Sequence, residues 1–226
     1  MNHISIAIDG PSGAGKSTLA KAVAEKLGYL YLDTGAIYRT VGLATKEHGI
    51  DPGDSLGVIH LLDQIDIKIA YGVDGLQHMY LMGKDVTRDI RMNEISYYAS
   101  KVSTIPAVRS FLLELQRDCA RNNNVVMDGR DIGTVILPDA QVKIFLTATA
   151  EARAQRRYKE LLERGQQVSF ESVLAEVISR DETDTRRAAA PLRQAEDAVL
   201  LDTTGMSLED SLALMLETIE RKLGER

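Results

Sequence analysis

The sequence predicts an α/β fold built on a parallel sheet, and three observations carry that prediction. Five short apolar or β-rich runs, at 4–9, 29–33, 124–128, 142–147 and 198–202, are separated by stretches of helical periodicity, the pattern of successive βαβ units. The first run leads directly into Gly10-Pro11-Ser12-Gly13-Ala14-Gly15-Lys16-Ser17-Thr18, which fits the phosphate-loop pattern G-x-x-x-x-G-K-[ST] between a strand and a helix. Residues 65–90 break the rhythm: Ile67, Ile69 and Tyr71 alternate, Asp74-Gly75 is a hairpin signal, and a second run follows at 79–82. A small antiparallel insertion is expected there.

Each element has its own warrant. After Lys16, apolar residues recur at Leu19, Val23 and Leu27, and Gly28 stands where a helix should end. Pro106 in Ile105-Pro106-Ala107-Val108-Arg109 reads as a helix start. Asp9, Asp33, Asp128 and Asp202 close four of the strand-like runs, and in open α/β sheets ligands collect at the carboxyl ends of strands. Asp128 and Asp131 suit either a site or a structural cap there, and Asp33 suits a magnesium hydration shell or a plain strand end. The stretch 151–193 carries eight arginines, at 153, 156, 157, 164, 180, 186, 187 and 193. On a helix, Arg153, Arg157 and Arg164 fall within about 40° of one another. Val173, Val177, Arg180, Asp184 and Arg187 follow helical spacing, so an apolar stripe turns into a charged one on the same side. A charged stripe continuing a core-facing one needs a partner, and a phosphate-rich ligand suits the planar donors of arginine. Pro191 is expected to end this helix.

Composition excludes several classes. The 226 residues are enough for one substantial core. A balance of 27 basic to 33 acidic residues gives a net charge of −6, which argues against non-specific nucleic-acid binding. Cys119 is the only cysteine, so disulfides and cysteine-rich metal sites within one chain are excluded. No basic-then-apolar leader and no membrane-length apolar run occur, and a cytoplasmic protein with no membrane partner is expected. His3, His48, His60 and His78 show no spacing that suggests a base or a metal ligand. A monomer is expected, because no coiled-coil pattern or exposed apolar stripe appears. The phosphate loop calls for ATP or GTP: its backbone N–H groups would converge on phosphates, Lys16 would reach the β- and γ-phosphates, and Ser17 would ligate magnesium.

Three further motifs narrow the class. They are Leu32-Asp33-Thr34-Gly35-Ala36-Ile37-Tyr38-Arg39, Asp128-Gly129-Arg130-Asp131-Ile132-Gly133-Thr134, and Arg180-Asp181 with Arg186-Arg187 ahead of Ala188-Ala189-Ala190-Pro191-Leu192. With the phosphate loop, and with Gly83-Lys84-Asp85-Val86-Thr87 and Ile90-Arg91 in the insertion, the chain resembles the bacterial cytidylate (CMP) kinase family along nearly its whole length. The resemblance implies a three-layer P-loop kinase with a five-stranded parallel sheet. It also implies an inserted acceptor-binding lobe with a small antiparallel sheet, and an arginine-rich helical lid. The core would comprise about 1–33, 121–150 and 194–226, the acceptor-binding lobe about 34–120 and the lid about 151–193.

The implied activity is transfer of the ATP γ-phosphoryl group to CMP or dCMP with Mg²⁺. Gly10 to Thr18 would bind ATP. Lys16 and the lid arginines Arg153 and Arg157 would hold the donor, and Ser17 the metal. Arg39, Arg130 and Arg187 would hold the acceptor phosphate in line. Asp131 would accept from the exocyclic amine of cytosine, the pairing used to read C N4, with Thr34 sharing that amine. Position 34 is Thr where some members have Ser, and both carry the hydroxyl. Arg109 and Arg187 fall to the base, and Ser100, Arg180 and Asp184 to the sugar or its surroundings. The competing readings are another small-molecule P-loop kinase, with UMP, AMP or shikimate as acceptor, and a nucleotide-dependent switch.

Overall fold

The structure, a computed structural model, describes residues 3–73, 75–163 and 165–225. Asp74 of the expected hairpin signal and Arg164 of the arginine stripe lie outside the described residues. The strands are β1 (Ser5–Asp9), β2 (Leu30–Asp33), β3 (Ile67–Tyr71), β4 (Gln77–Leu81), β5 (Lys84–Asp85), β6 (Val125–Gly129), β7 (Val142–Thr147) and β8 (Val199–Asp202). The α-helices are α1 (Lys16–Leu27), α2 (Thr34–Glu47), α3 (Ser55–Leu62), α4 (Asn93–Val102), α5 (Pro106–Asn122), α6 (Ala150–Glu163), α7 (Phe170–Arg186) and α8 (Leu208–Gly224). A five-stranded sheet has the order β2-β6-β1-β7-β8, and a three-stranded sheet the order β3-β4-β5. All five runs expected as parallel strands are strands, within about a residue at each end.

The chain divides into two compact units, Met1–Tyr29 with Asn124–Arg226, and Leu30–Asn123. In the first unit, β1 pairs in parallel with β6 on one side and β7 on the other, and β7 with β8. Strands covered on both faces must be apolar throughout, and Ile6, Ala7, Ile8, Val125, Val126 and Met127 are completely buried. The register sets Asp9 beside Gly129 and Ile8 beside Asp128, so the strand end that starts the phosphate loop adjoins the one that starts Gly129-Arg130-Asp131. Helices α6 and α7 form a hairpin with a small core of its own, built from Ala154, Leu161, Val173 and Val177. Tyr158 meets Phe170 edge to face there, with centroids 6.1 Å apart.

In the second unit β3 pairs antiparallel with β4. β4 pairs antiparallel with the two-residue β5, a strand the sequence pattern did not reveal. Met82 (φ +50°) and Gly83 (φ +79°) form a two-residue turn with both angles positive, the geometry that tight hairpins require. The second run of the insertion therefore stops at Leu81. Helix α2 packs on α4, and Gly42 permits their close approach: a Cβ there would stand 2.8 Å from the Ala99 backbone nitrogen. Helix α5 opens on Pro106 at its first turn, as expected. Helix α7 ends at Arg186 rather than at Pro191. Arg187 is extended (ψ 140°), its Nε donates to the Ala190 carbonyl at 2.7 Å, and Leu192 N–H bonds back to the Asp184 carbonyl. The helix thus ends five residues before the proline, where the chain turns under the Arg187 side chain. Among the described residues, no helix is long and apolar enough to cross a membrane.

Candidate active site

The phosphate loop joins β1 to α1 within the first unit. Gly10 lies at φ +149°, and a Cβ on it would stand 1.9 Å from the Leu146 carbonyl oxygen, so only glycine fits. Gly13 (φ +77°) and Gly15 (φ +89°) take the left-handed region. With no side-chain cap from Gly15, the first N–H groups of α1 and its positive end suit an anion. Lys16 is buried and its Nζ donates to the Pro11 carbonyl at 2.8 Å. Burial, and then the Arg130 charge, push its ammonium well below the usual lysine range, against the pull of Asp128, Asp184 and Asp9. Ser17, exposed at the start of α1, donates from Oγ to Asp128 Oδ2 at 2.9 Å.

The β6 end carries the second group. Arg130 donates from Nε to Asp184 Oδ2 at 2.8 Å and from Nη1 to the Gly129 carbonyl. Arg187 donates from Nη2 to Asp131 Oδ1 at 3.2 Å, and its Nη1 lies 3.9 Å from Asp184 Oδ1. The side chains of Arg187, Asp131 and Asp184 are each less than a tenth exposed. Burial raises the Asp184 carboxyl, but Arg130, Arg180 and Arg187 outweigh it and hold it below the ordinary aspartate range. The charged stripe of α7 therefore meets the Gly129-Arg130-Asp131 segment as a compact ion cluster.

The arginines of α6 divide. Arg153 is buried, donating from Nε to the Ala148 carbonyl and from Nη1 to the Ser12 carbonyl at 3.0 Å. It also takes both carboxylate oxygens of Asp181, at 3.1 and 2.6 Å. It thus braces the phosphate loop against α7. Arg156, one turn away and not singled out from sequence, donates to the Ala14 carbonyl at 3.3 Å and the Thr203 carbonyl at 2.8 Å. Its i, i+3 spacing from Arg153 was the available signal. Arg157 is half-buried beside Glu160.

The second unit holds the remaining expected residues. Asp33 caps α2, accepting from Ala36 N–H at 2.9 Å, and pairs with Arg91 at 2.9 Å. Gln77 of β4 spans the Asp33 backbone, Oε1 accepting from its N–H and Nε2 donating to its carbonyl. Thr34 starts α2 and is buried. Arg39, one turn on, donates to the Ile90 carbonyl, and Ser100 lies half-buried on α4. The Arg109 guanidinium sits over the Tyr38 ring, 5.5 Å from its centroid. His78 pairs with Asp85 at 3.0 Å on the small sheet, a contact its spacing did not suggest.

A phosphate loop at the carboxyl end of a central parallel strand, beside a buried arginine–carboxylate cluster, defines a phosphate-loop nucleotide-binding protein of the layered α/β class. The cytidylate kinase family model matches residues 6–221, and the chain belongs to that family. A cytidylate kinase of Carboxydothermus hydrogenoformans is 54% identical over 217 residues, covering 96% of this chain and 97% of that one. One from Caldicellulosiruptor bescii is 50% identical over 217 residues, covering 96% of each. Among solved structures, an uncharacterized protein from Eubacterium ventriosum superimposes with a TM-score of 0.53 at 16% identity, covering 97% of this chain and 99% of that one. That likeness speaks for the fold alone.

Proposed function

We propose that this chain transfers the γ-phosphoryl group of ATP to CMP and dCMP, yielding CDP and dCDP, with Mg²⁺. The observation that carries the reading is the neighbourhood of the loop and the Arg130–Asp131–Asp184–Arg187 cluster at adjacent strand ends. A triphosphate site with a second cationic site beside it suits two phosphorylated substrates. The loop N–H groups and Lys16 hold the donor phosphates, and Lys16 leaves the Pro11 carbonyl to do so. Arg39, Arg130 and Arg187 hold the acceptor phosphate. Asp131, with Thr34, accepts the exocyclic amine of cytosine, where uracil would present a carbonyl. Arg109 reaches the base, and Ser100, Arg180 and Asp184 the sugar.

The oxygen donor set of Ser17 and Asp128 fits a hard divalent cation; bound there, Mg²⁺ would neutralise charge on the donor phosphates. Transfer through a loose transition state asks mainly for alignment and charge neutralisation. No general base is required, since the attacking oxygen belongs to an ionised phosphate. Arg157 reaches the transferring group from α6, while Arg153 acts through the loop it braces. Closure over both substrates excludes water, whose attack would hydrolyse ATP unproductively. Asp131→Ala tests base recognition: the CMP-over-UMP ratio of kcat/KM should fall by about 10² or more, since a buried polar partner is removed. An unchanged ratio would take Asp131 out of that role.

A further inference from the structure

Asp9 ends β1 one residue before the phosphate loop, yet its carboxylate belongs to the other side of the site. Oδ1 accepts from Ile132 N–H at 2.7 Å and Oδ2 from Gly133 N–H at 2.8 Å. These are the two residues after Asp131, the start of a single wide helical turn over Ile132–Ile136. Two consecutive backbone N–H groups pointing one way form a nest for an anion, and a carboxylate, an acceptor at both oxygens, matches it. Asp9 is 4% exposed, so water does not take its place. Gly133 keeps the approach open: a Cβ there would crowd the Lys143 stem at 3.1 Å and sit 3.4 Å from Asp9 Oδ2. Resting on the CMP-kinase reading, we propose that Asp9 is a positioning residue for acceptor selection. By clamping the Ile132-Gly133 backbone it fixes where Arg130 and Asp131 stand, and ties that placement to the strand that delivers the donor loop.

The charged groups acting on Asp9 are Lys16 and Asp131; burial raises its carboxyl to about 6 against the two N–H donors. Protonation would turn one acceptor oxygen into a donor facing a backbone N–H. Asp9→Asn does the same permanently, because one amide position is a donor. The test compares kcat/KM for CMP and UMP in the wild type and in Asp9→Asn. Loss of a charge-assisted clamp predicts that the CMP-over-UMP ratio falls about tenfold or more and KM for CMP rises, while KM for ATP changes less than about twofold. A retained ratio in a folded, active Asp9→Asn would overturn the proposal. Should that variant not fold, the wild-type ratio decides: it should drop as pH is lowered from about 7.5 to about 5, because the phosphate titration shared by CMP and UMP cancels. A flat ratio would overturn the proposal. If the wild type shows no preference for CMP at any pH, the CMP-kinase reading itself fails, a result distinct from either.

Discussion

The Arg153 guanidinium holds both carboxylate oxygens of Asp181 while Nη1 also donates to the Ser12 carbonyl. One side chain thereby joins α6, α7 and the phosphate loop, with its charge nearly removed from solvent at 5% side-chain exposure. Removing one partner from such a pair leaves the other uncompensated.

From this follows the first prediction. Arg153→Ala and Asp181→Ala should each lower stability by about 3 kcal/mol, and the double variant by much less than their sum. Chemical denaturation of the four proteins measures the coupling. Additive losses would show that the pair does not act as a unit.

The second concerns Asp33, which sequence left between a magnesium role and a strand end. As the cap of α2 and the partner of Arg91, it orients the helix that carries Thr34 and Arg39. Asp33→Ala should cost about 1–2 kcal/mol and raise KM for CMP several-fold, leaving the Mg²⁺ dependence of the rate unmoved. A shifted Mg²⁺ requirement with an unchanged KM for CMP would reverse that assignment.

The third is a pH dependence. Asp184 is held below its ordinary 3.8 by the surrounding arginines despite burial, so the folded state binds that proton less readily than the unfolded chain. The stability contributed by the ion cluster is therefore complete above about pH 5 and lost as pH falls below about 4. Asp184→Asn should be less stable than wild type by about 3 kcal/mol at neutral pH, and the gap should narrow on acidification. Denaturation midpoints from pH 7 down to about 3 would reveal it; a gap that widened below about pH 4 would contradict it.

What the sequence disclosed, and what it withheld, follows from the range of the interactions. The phosphate loop is local: glycine conformations and a following helix are written in nine consecutive residues, Gly10 to Thr18. The parallel strands are nearly as plain, because burial on both faces demands unbroken apolar runs such as Ile6-Ala7-Ile8. Arg130, Asp131, Asp184 and Arg187 were legible as candidates, but their pairing joins residues more than fifty positions apart. Asp9 was visible as a strand end, while its partners Ile132 and Gly133 lie 123 and 124 residues onward. Backbone N–H donors leave no trace in residue identity. Strand β5 stayed hidden because it depends on a positive φ at Met82, which side-chain type does not signal. The early end of α7 stayed hidden because Arg187 folds onto Ala190, a contact that no periodicity encodes.

The central claim is that donor loop and charged cluster serve a phosphoryl transfer whose acceptor carries an amine-bearing pyrimidine. Its most direct measurement is ADP formation from ATP and Mg²⁺ with CMP, dCMP, UMP, AMP and shikimate compared side by side. CMP and dCMP should drive ADP release at least about tenfold faster, in kcat/KM, than any of the others. ADP release that is independent of every acceptor, or fastest with UMP, AMP or shikimate, would contradict the account.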